Sequence, residues 1–281
     1  MTTVARAPLA FDRAGPAGAP PVLLLHGIGG GRRIWRTSVA ALAAAGFDAI
    51  AVDLPGYGDS IGSAPGGMPA MADAVVALMQ SLALPPCAVV GHSMGGMVAQ
   101  EIALRAPDRL SALVLACTSP AFGKPDSAWQ ARFVAERLAP LDAGRGMAGV
   151  AAALVPPMLA PGAMRGAGTL AQSVMAAVPE ATYRQVLAAI VAFDRRAALG
   201  AIAVPTLCLA GAADRTAPPA MMQRMAAAIP GARFVTLADA GHIANVEQPA
   251  AFDAAVIHFL QRRPSTSGEG PANDAAFHHP V

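Results

Sequence analysis

The sequence is poor in charge. Asp, Glu, Lys and Arg make up 14% of its 281 residues, and a single lysine, Lys124, stands beside 19 arginines. The balance is a net charge of +2. No basic patch of the kind that a phosphate backbone demands is present, so nucleic acid is not an expected partner. Cysteine is scarce as well. Cys87, Cys117 and Cys208 are odd in number, widely spaced and set in or beside apolar runs, which reads as buried free thiols and fits a cytoplasmic location. No Cys/His cluster has metal-ligand spacing. Long apolar runs are missing too. The stretch 146–164 carries no charge, but Pro156, Pro157 and Pro161 break it, whereas a spanning helix needs about 20 apolar residues with few breakers. Near the start, Arg6, Asp12 and Arg13 interrupt any run that could serve as a signal peptide. Membrane insertion is therefore not expected.

What the chain has in abundance is alanine: 68 residues, about 24%. Alanine lifts the hydrophobic fraction to 54% and the mean hydropathy to +0.46. That composition excludes a disordered chain, which needs low hydrophobicity and high net charge. The length allows one large domain or two small ones.

Short apolar runs alternate with helix-like stretches. Strands are predicted at 22–25, 49–52, 88–90, 110–116, 206–210 and 233–237, and helices near 35–45, 70–83, 94–105, 219–228 and 248–262. Such alternation indicates a mostly parallel sheet with helices on both faces. Ligands of such sheets lie at the carboxyl ends of the strands, and these strand ends carry Gly, Asp, His or Ser. The alternation fails between 120 and 200, a region rich in Ala, Met, Gly and Pro in which 127–138 and 181–193 read as helices. The expected organisation is a core from 1–119 and 201–263, a helical cap at 120–200, and a disordered tail at 264–281.

Gly91-His92-Ser93-Met94-Gly95 matches G-x-S-x-G between a predicted strand and a predicted helix. A tight turn there lifts the serine hydroxyl above the sheet, and the helix that follows aims free amides at it. A serine nucleophile needs a base. His242 follows the last strand, whereas His26 reads as structural, His92 should point away from Ser93, His258 lies in a late helix, and His278 and His279 lie in the tail. The base needs an acid, and Asp214, 28 residues earlier and also just past a strand, is placed to supply it. Asp239 is too close in sequence to reach back to the ring, and Asp53 reads as part of a loop-forming element. Two donors are needed for a developing oxyanion: the Met94 amide and, from the loop after the first parallel strand, the Ile28 amide. Gly27, Phe122, Trp129 and Ile243 complete the candidate site as substrate contacts.

His26-Gly27-Ile28-Gly29-Gly30, Asp53-Leu54-Pro55-Gly56-Tyr57-Gly58, the Ser93 turn, Asp214 and His242 stand in the order found in α/β-hydrolases. The chain resembles that superfamily over about residues 10–262. Phe193-Asp194-Arg195-Arg196 and the segment Gly241-His242-Ile243-Ala244-Asn245-Val246-Glu247-Gln248-Pro249 resemble the branch of 3-oxoadipate enol-lactonases and carboxylesterases. The resemblance implies a hydrolase that cleaves a small to medium ester or lactone through an acyl-enzyme, with no cofactor or metal. It leaves open a homo-oligomer, a C–C bond hydrolase, a non-hydrolytic member of the fold and a ligand-binding protein that retains the site. Ser93 stands where epoxide hydrolases and haloalkane dehalogenases carry aspartate, and His92 and Ile243 depart from the pattern of meta-cleavage C–C hydrolases. Phe122, Trp129, Phe133, Met147, Leu159 and Met164 make the cap apolar, and Arg132, Arg145 and Arg165 are expected to face solvent. The expected substrate is therefore largely apolar, since a dicarboxylate would want an arginine facing inward.

Overall fold

The computed structural model describes residues 9–60, 62, 66–123 and 127–262. The predicted tail, with His278 and His279, lies outside them, as do Lys124 and Arg6. The centre is a seven-stranded sheet of β1 (Phe11–Ala14), β2 (Pro21–Leu25), β3 (Asp48–Val52), β4 (Cys87–His92), β5 (Leu110–Ala116), β6 (Thr206–Gly211) and β7 (Arg233–Leu237). Their spatial order is β1-β3-β2-β4-β5-β6-β7. Every neighbouring pair is parallel except β1 with β3.

Strands β2, β3, β4 and β6 are buried at every position, and β5 at all but Ser111. This is why they read as unbroken apolar runs: helices cover both faces, so no position alternates toward water. The helices of this layer are α1 (Arg36–Ala44), α2 (Met68–Ser81), α3 (Met94–Arg105), α8 (Pro219–Ala228) and α10 (Pro249–Gln261), the last preceded by the one-turn α9 (Ala244–Glu247). Pro249 opens α10 at a position where a missing amide costs nothing. The three cysteines are buried and unpaired. Among the described residues no helix is long and apolar enough to cross a membrane.

Strand β1 was absent from the sequence reading. Its four residues include Asp12 and Arg13 and only Phe11 is large and apolar, so no hydrophobic pattern announces it. It is an antiparallel edge strand, where exposed charge is a protection against further pairing. Arg13 fastens it with a two-pronged bond to Asp48, at 2.8 and 2.7 Å.

Between β5 and β6 the chain forms four helices, α4 (Ala128–Asp142), α5 (Gly146–Leu154), α6 (Ala167–Ala176) and α7 (Glu180–Val191). Two of these, α5 and α6, were not predicted. In α5 the buried positions are Met147, Val150 and Ala151, at helical spacing. Alanine on the opposite face erases the polar contrast on which a periodic signal depends. The segment enters and leaves side by side: Ala121 bridges Asp194, Phe122 N–H donates to the Phe193 carbonyl at 3.2 Å, and Arg195 N–H donates to the Pro120 carbonyl at 2.7 Å.

Candidate active site

The strand order reverses around β2. Strand β3 lies on one side of it and β4 on the other, with Leu25 opposite Gly91. Loops leaving β2 and β4 therefore emerge together at a topological switch point, where α/β sheets bind ligands. Ser93 follows β4 and Ile28 follows β2. On the same edge, Gly211 of β6 is opposite Leu237 of β7, so the loops that carry Asp214 and His242 also emerge together.

Ser93 has φ 52° and ψ −117°, a left-handed conformation that only a tight turn imposes on a residue with a side chain. The turn is possible because the chain around it is bare. A Cβ on Gly91 would lie 2.4 Å from the Gly95 carbonyl oxygen, and one on Gly95 would lie 2.2 Å from the Leu25 carbonyl oxygen. Helix α3 begins at Met94, so its first amide has no partner within the helix. Among the described residues neither the Met94 nor the Ile28 amide hydrogen-bonds within the fold.

The Ser93 hydroxyl donates to His242 Nε2 at 3.0 Å, and His242 Nδ1–H donates to Asp214 Oδ2 at 2.9 Å. Asp214 is 3% and His242 5% exposed, so water screens this chain of bonds little. Burial alone would raise the Asp214 pKa. The His242 charge and hydrogen bond, with the amides of Ala217 and Thr216, outweigh it and hold the carboxyl below its usual range. The sequence singled out Asp214 but not these two amides.

His26, His92 and Asp53 hold the scaffold. His26 Nδ1–H donates to the Gly27 carbonyl at 2.8 Å and its Nε2 accepts the Leu54 amide at 3.0 Å, joining the loops after β2 and β3. His92 donates from Nε2 to the His242 carbonyl at 2.7 Å and borders the same cavity as Ser93. Burial, reinforced by the charge of His242, pushes its pKa down to about 3, so it is neutral at ordinary pH. Asp53 accepts the Arg32 amide at 2.7 Å and the Asp59 amide at 3.2 Å, and pairs with the Arg32 guanidinium. Asp239 has φ 53° and lies in the turn before His242.

Two cavities of about 50 Å³ each meet at Ser93 and His242. They also share Ile28, Met158 and Met175, so they adjoin as two arms of one channel. Gly27, Gly29 and Ile243 line the first arm, with Val155 and Ala171 from the cap side. Met94, Met97, Phe122 and Phe133 line the second, with Arg137 and Tyr183. Of the proposed substrate contacts, Gly27, Ile243 and Phe122 therefore border the channel. Trp129 does not. It is 54% exposed and stacks on Phe133 and Phe122 with ring centroids 5.6 and 5.4 Å apart, serving as an outer cover for those rings. Met147 is buried between cap helices and Met164 is 49% exposed, so the cap's apolar surface is mostly packing. Arg132, Arg145 and Arg165 are exposed, as expected. The expectation of no inward arginine is corrected by Arg137, which the uniform cap composition gave no means of singling out.

An addressable serine, a base fixed in one tautomer, and two free amides beside them are the parts that acyl transfer to water requires. The alpha/beta hydrolase fold family model matches residues 20–249, and the chain belongs to that family. It is 36% identical over 263 residues to the putative carbamate hydrolase RutD of Variovorax paradoxus, covering 91% of this chain and 97% of that protein. Among solved structures it is similar to the enol-lactonase of Burkholderia xenovorans, at 31% identity and a TM-score of 0.79 over 90% and 96% of the two chains. It is also similar to a thermophilic esterase from Thermogutta terrifontis, at 32% identity and a TM-score of 0.76 over 90% and 93%. The protein is thus a hydrolase of the α/β fold.

Proposed function

We propose that the protein hydrolyses a small carboxylic ester or lactone through an acyl-enzyme on Ser93. The observation that carries this reading is the bond sequence Ser93–His242–Asp214, opening into a channel bordered by the Ile28 and Met94 loops. Ser93 Oγ attacks the carbonyl carbon while His242 Nε2 takes the hydroxyl proton, and Asp214 stabilises the resulting imidazolium. The carbonyl oxygen becomes an oxyanion between the Met94 and Ile28 amides. The tetrahedral intermediate collapses, the C–O bond to the leaving group breaks, and His242 returns its proton to that oxygen. Water, deprotonated by His242, then attacks the acyl-serine, and a second collapse releases the acid and restores Ser93. None of these steps calls for a metal or cofactor. Narrow arms of about 50 Å³ favour a small substrate. The names of the relatives, an esterase and a lactonase among them, support the same bond class. The carbamate hydrolase name of another adds a carbamate as a second substrate to compare.

Turnover of short p-nitrophenyl esters, a lactone series and a carbamate, before and after Ser93→Ala, tests the reading. The wild type is expected to turn over an ester or lactone fastest and to be labelled by a fluorophosphonate, and the variant to lose both properties. Undiminished activity in Ser93→Ala would overturn it.

A further inference from the structure

We propose that Arg137 makes the second arm of the channel a carboxylate subsite, so that the substrate carries an anionic group a few bonds from the carbonyl that Ser93 attacks. The inference rests on the hydrolytic reading above and narrows it to acidic substrates, such as half-esters of short dicarboxylic acids or lactones with a carboxylate side chain.

Arg137 lies on α4 and is half-buried. Its guanidinium carbon sits 3.1 Å from the centroid of the Phe133 ring. Among the described residues its one hydrogen bond is a long one, from Nη1 to the Phe133 carbonyl at 3.4 Å. Elsewhere in the cap region Arg184 pairs with Glu180 and Asp142, Arg195 with Glu101 and Arg196 with Asp194. Among the described residues no carboxylate oxygen lies within ion-pair distance of Arg137. An arginine taken from water without a partner is costly, and burial here pushes its pKa down to about 10, against smaller opposing contributions from Tyr183 and Glu136. It remains a cation at neutral pH.

What it faces is the second arm. Arg137 lines the same cavity as Ser93, Met94 and His242. Tyr183, 1% exposed, lines it too and lies close enough to Arg137 for each to shift the other's titration. Thr216 supplies the remaining polar group of an otherwise apolar wall. A planar guanidinium held flat by an aromatic ring presents its free N–H edge in a fixed direction, the arrangement suited to a two-pronged carboxylate bond. A stacked and desolvated cation with open donors is built to receive an anion that arrives with the substrate.

The test compares kcat/KM for monomethyl and dimethyl esters of succinate, glutarate and adipate in the wild type, Arg137→Met and Arg137→Lys. The wild type is expected to prefer the half-ester at one chain length. The ratio of half-ester to diester kcat/KM should fall ~10- to 100-fold in Arg137→Met, as the loss of a charged hydrogen bond predicts, with partial retention in Arg137→Lys. A second measurement does not depend on turnover: calorimetric binding of glutarate and adipate should survive Ser93→Ala and be lost in Arg137→Met. A wild type that prefers diesters, or a ratio that Arg137→Met leaves unchanged, overturns the proposal. A wild type that is labelled at Ser93 and hydrolyses esters, yet neither prefers half-esters nor binds dicarboxylates through Arg137, refutes the subsite alone. Dicarboxylate binding that persists while Ser93→Ala retains ester turnover refutes the hydrolytic reading instead.

Discussion

Glu247 Oε2 accepts the Ala160 amide at 2.7 Å, joining the loop behind His242 to the cap. The same oxygen accepts the Gly241 amide and Oε1 accepts the Ile243 amide, both at 2.9 Å, so one buried carboxylate holds the residues on either side of His242. The cap adds two backbone bonds: His242 N–H donates to the Met158 carbonyl at 2.8 Å, and Met164 N–H donates to the Glu247 carbonyl at 2.9 Å. The position of His242 is therefore a joint product of core and cap.

Glu247→Gln is expected to lower both stability and turnover. An amide side chain has one acceptor oxygen where the carboxylate uses two, so at least one buried N–H loses its partner and an added NH₂ meets donors. Each orphaned group costs about 1–3 kcal/mol. The expected result is a Tm several degrees lower and a kcat reduced more than KM, because His242 is displaced while the substrate walls are not. Thermal denaturation with steady-state kinetics on one ester measures both. A variant with lowered Tm and unaltered kcat would confine Glu247 to stability.

Ser93, His242 and Asp214, the proposed triad that the structure brings together, stood out in the sequence because each demand of the proposed chemistry leaves a local mark: glycines around a turn, and an acid or a histidine just past a strand. Glu247 stood in a recognisable segment, yet its role was illegible, because accepting three amides needs no particular neighbour in sequence. Arg137 was illegible for a different reason. In a cap saturated with alanine, nothing distinguishes an arginine that faces the channel from Arg132, which faces water. Strand β1 escaped because an edge strand is specified by its partner and not by its own hydrophobicity. The buried strands were legible to within a few residues, since burial on both faces leaves no other composition.

Acid should destabilise the protein from just below neutrality. His26 and His92 are both buried and have folded-state pKa values below the ordinary one, His92 at about 3. In each case burial is the largest cause. The unfolded chain binds protons at these sites from about pH 6.5 downward, while the folded one does not, so their stabilisation is complete above that pH and is lost as pH falls toward the folded values. Each histidine contributes a slope of at most about 1.4 kcal/mol per pH unit. Asp253 works in the opposite sense. Burial raises its folded pKa to about 6, so its contribution is present at low pH and lost as pH rises through that value. Chemical denaturation at pH 7.5, 6.5 and 5.5 should show a decline that is shallower in His92→Asn. An equal decline in both proteins would assign the acid sensitivity elsewhere.

Arg195 and Glu101 should be energetically coupled. Glu101 lies on α3 with its side chain 2% exposed, and Arg195, at the exit of the cap, reaches it at 2.6 Å. Although the approach is that of an ion pair, its angle is poor for a hydrogen bond, since Glu101 Oε1 has no well-directed donor. Arg195 is 35% exposed, which weakens the pair below the value of a fully buried one. Arg195→Met is expected to cost about 1–3 kcal/mol by leaving Glu101 buried and unpaired, and Glu101→Gln in the same chain should recover much of the loss. A double-mutant cycle by urea denaturation reads the coupling. Strict additivity of the two changes would show that the pair does no more than coexist.

Gly95→Ala should damage catalysis out of proportion to its size. The added Cβ would lie 2.2 Å from the Leu25 carbonyl oxygen and 2.8 Å from that of His26. Both are backbone atoms and cannot rotate away, so the start of α3 and the end of β2 must separate. The Met94 amide moves with the first and the Ile28 amide with the second. Overpacking of this kind costs about 1–3 kcal/mol in stability, which a protein with an extensive sheet core survives. The loss in rate can be larger, since misdirecting one oxyanion donor is worth about 100- to 1,000-fold in kcat. The expected profile is a folded enzyme, still able to bind a substrate-derived acid, with kcat reduced at least tenfold. Circular dichroism, calorimetric binding of the acid product and steady-state kinetics on the same preparation separate these quantities. Unchanged kcat in a folded Gly95→Ala would mean that the β2 loop supplies no donor to the reacting oxygen.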